Sequence, residues 1–261
     1  MRIALGLEYH GSAYTGWQSQ RDGRGVQDAL ERALAAIADT DVGTIAAGRT
    51  DTGVHATMQI VHFDTDVVRP DTAWTRGVNA KLPPDVAVLW SHRVGEEFHA
   101  RRSAVARHYT YVLLQRAVRP ALLSGRAGWY HRSLDLAAMI ESARVLVGTH
   151  DFSAFRAAEC QAKTASRTLT KMAITTSGDL IRFDFCANAF LQHMIRNIVG
   201  ALVYVGAGKH PPSWIGELLA GGDRTRAAPT FAPDGLYFTG ADYHARWDLP
   251  PTRRATLPLY S

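Results

Sequence analysis

Apolar and polar residues change period several times along the chain, and each change marks a predicted element. Residues 2–9 (RIALGLEY) alternate with the two-residue period of a strand. Residues 25–38 (GVQDALERALAAIA) carry Val26, Leu30, Leu34 and Ile37 on one helical stripe, with Asp28 in the first turn. The run TIAAG leads into a loop, 58–66 (MQIVHFDTD) follows as a second strand, 71–82 as a short helix and 85–94 (DVAVLWSHRV) as a third strand.

The pattern then starts over. Residues 107–115 (RHYTYVLLQ) predict a strand, and 134–148 a helix capped by Ser133 and ended by Gly148. A hairpin about Gly178–Asp179 is expected, with Ile181, Phe183 and Phe185 on one face. Long apolar stripes predict helices over 189–206 and 211–222, the second opened by prolines and closed by glycines. The class is α+β: two ferredoxin-like βαββαβ halves, near 1–95 and 105–245, forming an extended mixed or antiparallel sheet flanked by helices. A cleft is expected where the halves join. As domains, this gives 1–100 for the N-terminal half, 101–250 for the C-terminal half and 251–261 for a tail.

The 261 residues are 46% hydrophobic, enough for a full core. The net charge of +5 is a modest excess that fits a polyanion partner. Lys occurs at 81, 163, 171 and 209, so the other 25 of the 29 cations are Arg. Arg forks onto phosphate and stacks on bases, although a compositional bias towards Arg and Ala accounts for the excess equally well. Cys160 and Cys186 form no close pair, so neither a zinc knuckle nor a disulfide framework is written here. Both are read as reduced, in a cytoplasmic protein. The apolar run before Glu8 is too short for a secretory signal, and no stretch is long enough to span a membrane.

Candidate chemistry lies in a few places. In AAGRTDTGVHA (46–56), Gly48 and Gly53 flank Arg49, Thr50, Asp51 and Thr52. Taken alone, this is a turn with a surface Arg–Asp pair of little energetic value. Arg196 lies within the apolar 189–206 segment, three residues from His193, so the predicted helix lets both face one way. A buried Arg needs a carboxylate or several carbonyls. It is either a structural ion pair or the group that holds a catalytic acid ionised. Arg107, Tyr109 and Tyr111 share one face of their strand, which is either an ordinary half-buried strand or an aromatic platform for a base. Arg101 and Arg102 precede it and add charge for phosphates. No phosphate loop, nucleophile-elbow serine, zinc-protease histidine pair or dinucleotide fingerprint is present. The eleven histidines show no ligand spacing, so no catalytic metal is expected.

These residues together resemble the tRNA pseudouridine synthases of the TruA type. GRTDTGVHA is similar to the family's signature loop. EYHGSAYTGWQ, GVNAKLPPDVAV, FHARRSAVARHYTYVL, GTHDFSAFRA, ANAFLQHMIRNIVGAL and DRTRAAPTFAPDGLYF match successive family segments in order, over roughly residues 2–250. Two departures are Thr52, where many bacterial members have Ala, and His10, where many have Asp. The resemblance implies the pseudouridine synthase fold and isomerisation of uridine at tRNA positions 38, 39 and 40, in the anticodon stem-loop. It also implies a homodimer and neither cofactor nor metal. By the same resemblance Asp51 is the catalytic aspartate and Arg49 displaces the target base. Tyr109 is then the active-site tyrosine and Arg196 the arginine paired with the aspartate. Arg107, from its place beside the tyrosines, and His193, from its spacing to Arg196, are added as substrate contacts.

Whether Asp51 attacks C1′, adds to C6 or removes the 2′-proton is left open by the sequence. Three other classes compete with the isomerase: a non-catalytic RNA-binding module, an N-glycosidase that releases uracil, and a related synthase acting on other RNAs.

Overall fold

The computed structural model describes residues 1–254. The last part of the expected tail, 255–261, lies outside the described residues. The chain is α+β and divides into two compact units, 1–107 with the segment from 237 onward, and 108–236.

In the first unit, Arg2–Tyr9 (β1), Val26–Ala38 (α1), Thr44–Ala46 (β2), His55–Asp64 (β3), Arg76–Asn79 (α2) and Val86–Val94 (β4) follow one another. β1 pairs antiparallel with both β3 and β4, and β2 pairs antiparallel with β3. The strand order 4-1-3-2 is that of a ferredoxin-like βαββαβ unit. Leu236–Tyr243 (β10, after the second unit) joins β3 in parallel, with Tyr237 beside His55 and Phe238 beside Ala56. α1 buries Val26, Leu30 and Leu34 of the predicted stripe with Ala33 beside them, while Ile37, the stripe's last member, is half-buried. Gly25 precedes it, and the Asp28 carboxylate accepts the Gly25 N–H at 2.8 Å. The 71–82 segment is less helical than its sequence suggests. It holds a 3-10 turn at Asp71–Ala73 and only the four-residue α2. β3 starts at His55 rather than 58, and it is buried along nearly its whole length. A strand covered on both faces loses the alternation that marks its ends.

In the second unit, Ala104–Gln115 (β5, which begins in the first), Gly128–Tyr130 (β6), Leu136–Ala143 (α3), Gly148–Asp151 (β7), Ser166–Ser177 (β8), Leu180–Ala187 (β9), Met194–Gly206 (α4) and Trp214–Gly221 (α5) are the main elements. The strands run in the order β5-β9-β8-β7, and β6 adds in parallel to β5. β8 and β9 form the expected hairpin, with Ser177 opposite Leu180. Ile181, Phe183 and Phe185 are all buried. Asp135, not Ser133, caps α3, its Oδ1 accepting the Ala138 N–H at 3.0 Å. α3 is shorter than predicted. A 3-10 turn at Arg144–Leu146 ends it, and Gly148 opens β7 at φ 125°. α4 starts at Met194 rather than 189. Gly206 lies against Met139 of α3, where a Cβ would come within 2.5 Å of the sulfur.

One buried titratable group makes the first unit pH-sensitive. His62, on β3, is 2% exposed, and its Nδ1 accepts the Ala100 N–H at 3.1 Å. Burial, and then the charges of Arg2, His99 and Arg102, push its pKa from 6.5 down to about 4, with Asp64 opposing. The folded ring therefore refuses a proton that the unfolded chain accepts between those two values. Stability falls as pH falls through that window. The denaturant midpoint is expected to drop between pH 6.5 and 4 and to drop less in His62→Asn, which keeps an acceptor for Ala100. Parallel curves for the two proteins would exclude His62 as the cause.

Candidate active-site loop and its flanking residues

Residues 47–54 link β2 to β3, and polar groups from β1 and β3 hold them. The Ala47 N–H donates to Ile60 O at 2.8 Å, extending the β2–β3 hairpin by a step. Gln59, fully buried on β3, donates from Nε2 to Gly48 O at 2.7 Å. The hydroxyls of Tyr9 and Thr50 share a buried hydrogen bond of 2.8 Å, and Gln59 Nε2 lies 3.5 Å from the same Tyr9 oxygen. Burial pushes the Tyr9 hydroxyl up to about 12, against the hydrogen bonds from Thr50 and Gln59. It stays protonated and pairs with Thr50 as a neutral group.

A second loop, 10–17, lies against the first. The Trp17 N–H donates to Thr50 O at 2.9 Å, and Gly53 N–H donates to Tyr14 O at 3.4 Å. Within the loop the Val54 N–H closes onto Asp51 O at 3.1 Å. Two glycines permit this approach. Gly16 sits at φ 100°, and a Cβ there would come within 2.6 Å of Thr50 O, while Gly53 sits at φ 79°. In the sequence Gly48 and Gly53 flank Arg49, Thr50, Asp51 and Thr52. Of these, only Gly53 takes a positive φ. Below, the Gly11 N–H donates to His55 Nδ1 at 2.9 Å, and the His55 ring lies 4.6 Å from that of His10 and 4.7 Å from that of Tyr237. The Tyr14 hydroxyl donates to Asp85 at 2.6 Å. The backbone on both sides of Asp51 is thus fixed, yet Asp51 is half-exposed and Arg49 is exposed. A carboxylate on a rigid, accessible loop can serve as a nucleophile or a base.

The other predicted residues occupy three settings. Arg107, in the first unit, is half-exposed and donates to the carbonyls of Ala104 at 2.9 Å, Ala47 at 3.4 Å and Arg101. Its guanidinium ties β5 to the start of the Asp51 loop. Arg101 and Arg102 are exposed, and their N–H groups converge on His99 Nδ1 at 3.2 Å. In the second unit, Tyr109 is 8% exposed and meets Phe190 edge-to-face at 5.0 Å. Tyr111 is fully buried, and its hydroxyl donates to Ala232 O at 2.9 Å.

Two expectations about α4 need correction. Arg196 is half-exposed rather than buried, and its Nε donates to Phe231 O at 2.8 Å. His193 precedes α4 in a left-handed conformation at φ 61°, so helical three-residue spacing does not align it with Arg196. Tyr9, Gly16, Thr50, Gln59 and His55 were missed as supports of the loop. The one signal for them was polar residues on β3 (His55, Gln59, His62) among apolar neighbours, all three buried.

Comparison with known proteins agrees with the signature segments. A family model described as tRNA pseudouridine synthase matches residues 7–101 and 142–244. The tRNA pseudouridine synthase A of Nitrosomonas eutropha is 58% identical over 96% of this chain and 90% of its own length. That of Chromobacterium violaceum is 59% identical over 96% of each chain. The Burkholderia mallei protein of the same name is 54% identical over 100% of this chain and 97% of its own. A solved chain from a Cbf5-Nop10-Gar1 complex overlaps at a TM-score of 0.35 and 11% identity, over 90% of this chain and 48% of that one, a likeness too slight to bear on the fold. Matched along nearly its whole length by such relatives, the chain belongs to the tRNA pseudouridine synthase family.

Proposed function

We propose that this protein isomerises uridine to pseudouridine at positions 38, 39 and 40 of the tRNA anticodon stem-loop, with Asp51 as nucleophile or base. Membership of the family supports the reaction class, isomerisation of uridine in tRNA. The position specificity rests on the resemblance of the signature segments. One observation carries the assignment of Asp51: its loop is fixed on both sides by Thr50 and Val54, while the residue itself stays accessible. A homodimer in the cytoplasm completes the proposal. Among the described residues, no helix is long and apolar enough to cross a membrane.

The chemistry asks for three things. The C1′–N1 bond breaks, the uracil turns, and a C1′–C5 bond forms. The C5 proton departs to solvent and N1 ends protonated, so atoms balance without a second substrate. The target base must first leave its stack, which costs a few kcal/mol. Arg49 fills the place the base vacates, and Tyr109 stacks on the uracil, a contact worth roughly 1–3 kcal/mol. By the resemblance, Arg196 is the arginine that acts with the catalytic aspartate. Arg107 and His193 are the further contacts to RNA.

The test is tritium release from unmodified tRNA carrying [5-³H]uridine, mapped to tRNA position, with no metal added. The parent is expected to release label from the anticodon stem, and Asp51→Ala to release none while still binding tRNA. Binding without release by the parent would leave a non-catalytic RNA module. Free uracil among the products would mark a glycosidase. Release from other tRNA positions would mean a synthase of different specificity.

The loop supports generate a second expectation. Thr50→Val removes the hydroxyl and leaves the buried Tyr9 oxygen short of its partner, which costs about 1–3 kcal/mol of stability. The release rate should fall with it. A variant as stable and as active as the parent would show that the Tyr9–Thr50 bond does not hold the loop.

A further inference from the structure

α4 carries three departures from ordinary helix chemistry within its first turns. His193 enters it with a left-handed backbone, Arg196 follows in its first turn, and Asn197 lies fully buried beside it. The segment 224–231 supplies partners for the last two, lying across the helix as a strap. Arg196 holds both backbone groups of Phe231: its O accepts the Phe231 N–H at 3.2 Å, and its Nε donates to Phe231 O at 2.8 Å. One residue further on, Asn197 Oδ1 accepts from Thr230 Oγ1 at 2.7 Å and from Arg224 Nη2 at 3.2 Å. Arg224 Nη2 also donates to Thr230 Oγ1 at 3.2 Å, and Nη1 donates to Ala228 O at 2.9 Å. The amide end of Asn197 donates to Phe155 O at 2.8 Å. The strap passes close over the helix at Gly200, where a Cβ would meet Pro229 O at 2.5 Å.

We infer that Arg224, Asn197 and Thr230 form a positioning clip for Arg196. The inference rests on the role proposed above for Arg196. An arginine side chain ends in a plane, and fixing Nε on one carbonyl fixes how that plane is turned. Phe231 O is that carbonyl. Its own place is set one residue earlier by Thr230, which is bonded to a side chain of the same helix. The three side chains close a ring of hydrogen bonds. Moving Thr230 moves Phe231 O, and the guanidinium turns with it. A charged group displaced by a fraction of an ångström loses much of its transition-state value even when the fold survives. None of the three clip residues touches the reacting atoms in this scheme; each acts through Arg196.

The experiment is a double-mutant cycle read in kcat, with thermal unfolding measured alongside. Thr230→Val keeps shape and removes the hydroxyl, Thr230→Ser keeps the hydroxyl, and Arg196→Lys removes the fork that reaches Phe231 O. Thr230→Val is expected to lower kcat about tenfold in the parent, with KM for tRNA changing by less. Thr230→Ser should stay within about twofold of the parent. In the Arg196→Lys background Thr230→Val should have no further effect on kcat, because the group it positions is gone. An equal loss in both backgrounds, or no loss in the parent, would overturn the clip while leaving the isomerase reading intact. Arg196→Lys at full activity would overturn both the clip and the proposed role of Arg196. A parent that releases no tritium would fail earlier, in the function itself.

Discussion

The constraint on which the Asp51 loop depends is a buried hydrogen bond between two hydroxyls, those of Tyr9 and Thr50. A loop that exposes a carboxylate cannot bury its own backbone in a sheet, so its peptide groups need partners from elsewhere. β1 supplies Tyr9, β3 supplies Gln59, and the 10–17 loop supplies the Trp17 N–H. These groups are neutral. Burial keeps the Tyr9 hydroxyl protonated well beyond neutral pH, so this hydrogen bond does not change as the surroundings titrate. The close approach that completes it is open only to glycine at position 16, because a side chain there would run into the Thr50 carbonyl.

The second unit solves a comparable problem by another route. β9 leads towards α4 through residues 188–193, and the helix begins at a residue with positive φ. A left-handed non-glycine costs roughly 1–2 kcal/mol, so it persists only where surrounding bonds over-determine it. Here the His193 carbonyl accepts the Asn197 N–H at 2.9 Å, and the preceding Gln192 carbonyl accepts the Ala157 N–H at 3.1 Å. The entry is therefore held from both sides of the turn.

Much of this was legible in the sequence where burial is one-sided. α1 and the β8–β9 hairpin follow their periods, because each presents one apolar face, whereas β1 keeps its sequence alternation although it is buried on both faces. The start of β3 and the short β2 were not legible. β3 is covered on both faces, and three residues of β2 are too few to show a period. The α4 segment failed in the other direction. Apolar residues continue upstream of Met194, so the stripe overruns the true start, and nothing in the composition announces a left-handed residue at His193. Ser133 and Asp135 are both good N-cap residues, but α3 starts at Leu136, so it is Asp135 whose carboxylate reaches the Ala138 N–H. Asp51, Arg49, Tyr109 and Arg196 were named as candidates from the signature segments, whereas Tyr9, Thr50 and Gln59 were not, since a tyrosine or threonine reads as core until its hydroxyl partner is known.

The start of α4 is where local rules are broken most densely. A cation in the first turn opposes the helix dipole, at a cost of about 0.3–1 kcal/mol where exposed. An Asn one residue later is buried in a helix otherwise lined by Ile, Val and Leu. Each feature alone has a structural remedy: a carbonyl for Arg196, and a threonine, an arginine and a carbonyl for Asn197. At the buried Asn197 position an apolar residue would need no such partners. That the chain carries the cation, the buried amide and the segment that satisfies them together argues that the cation is what the rest is built to hold. Sites that contradict local preference and are then fully compensated are where function is expected to sit.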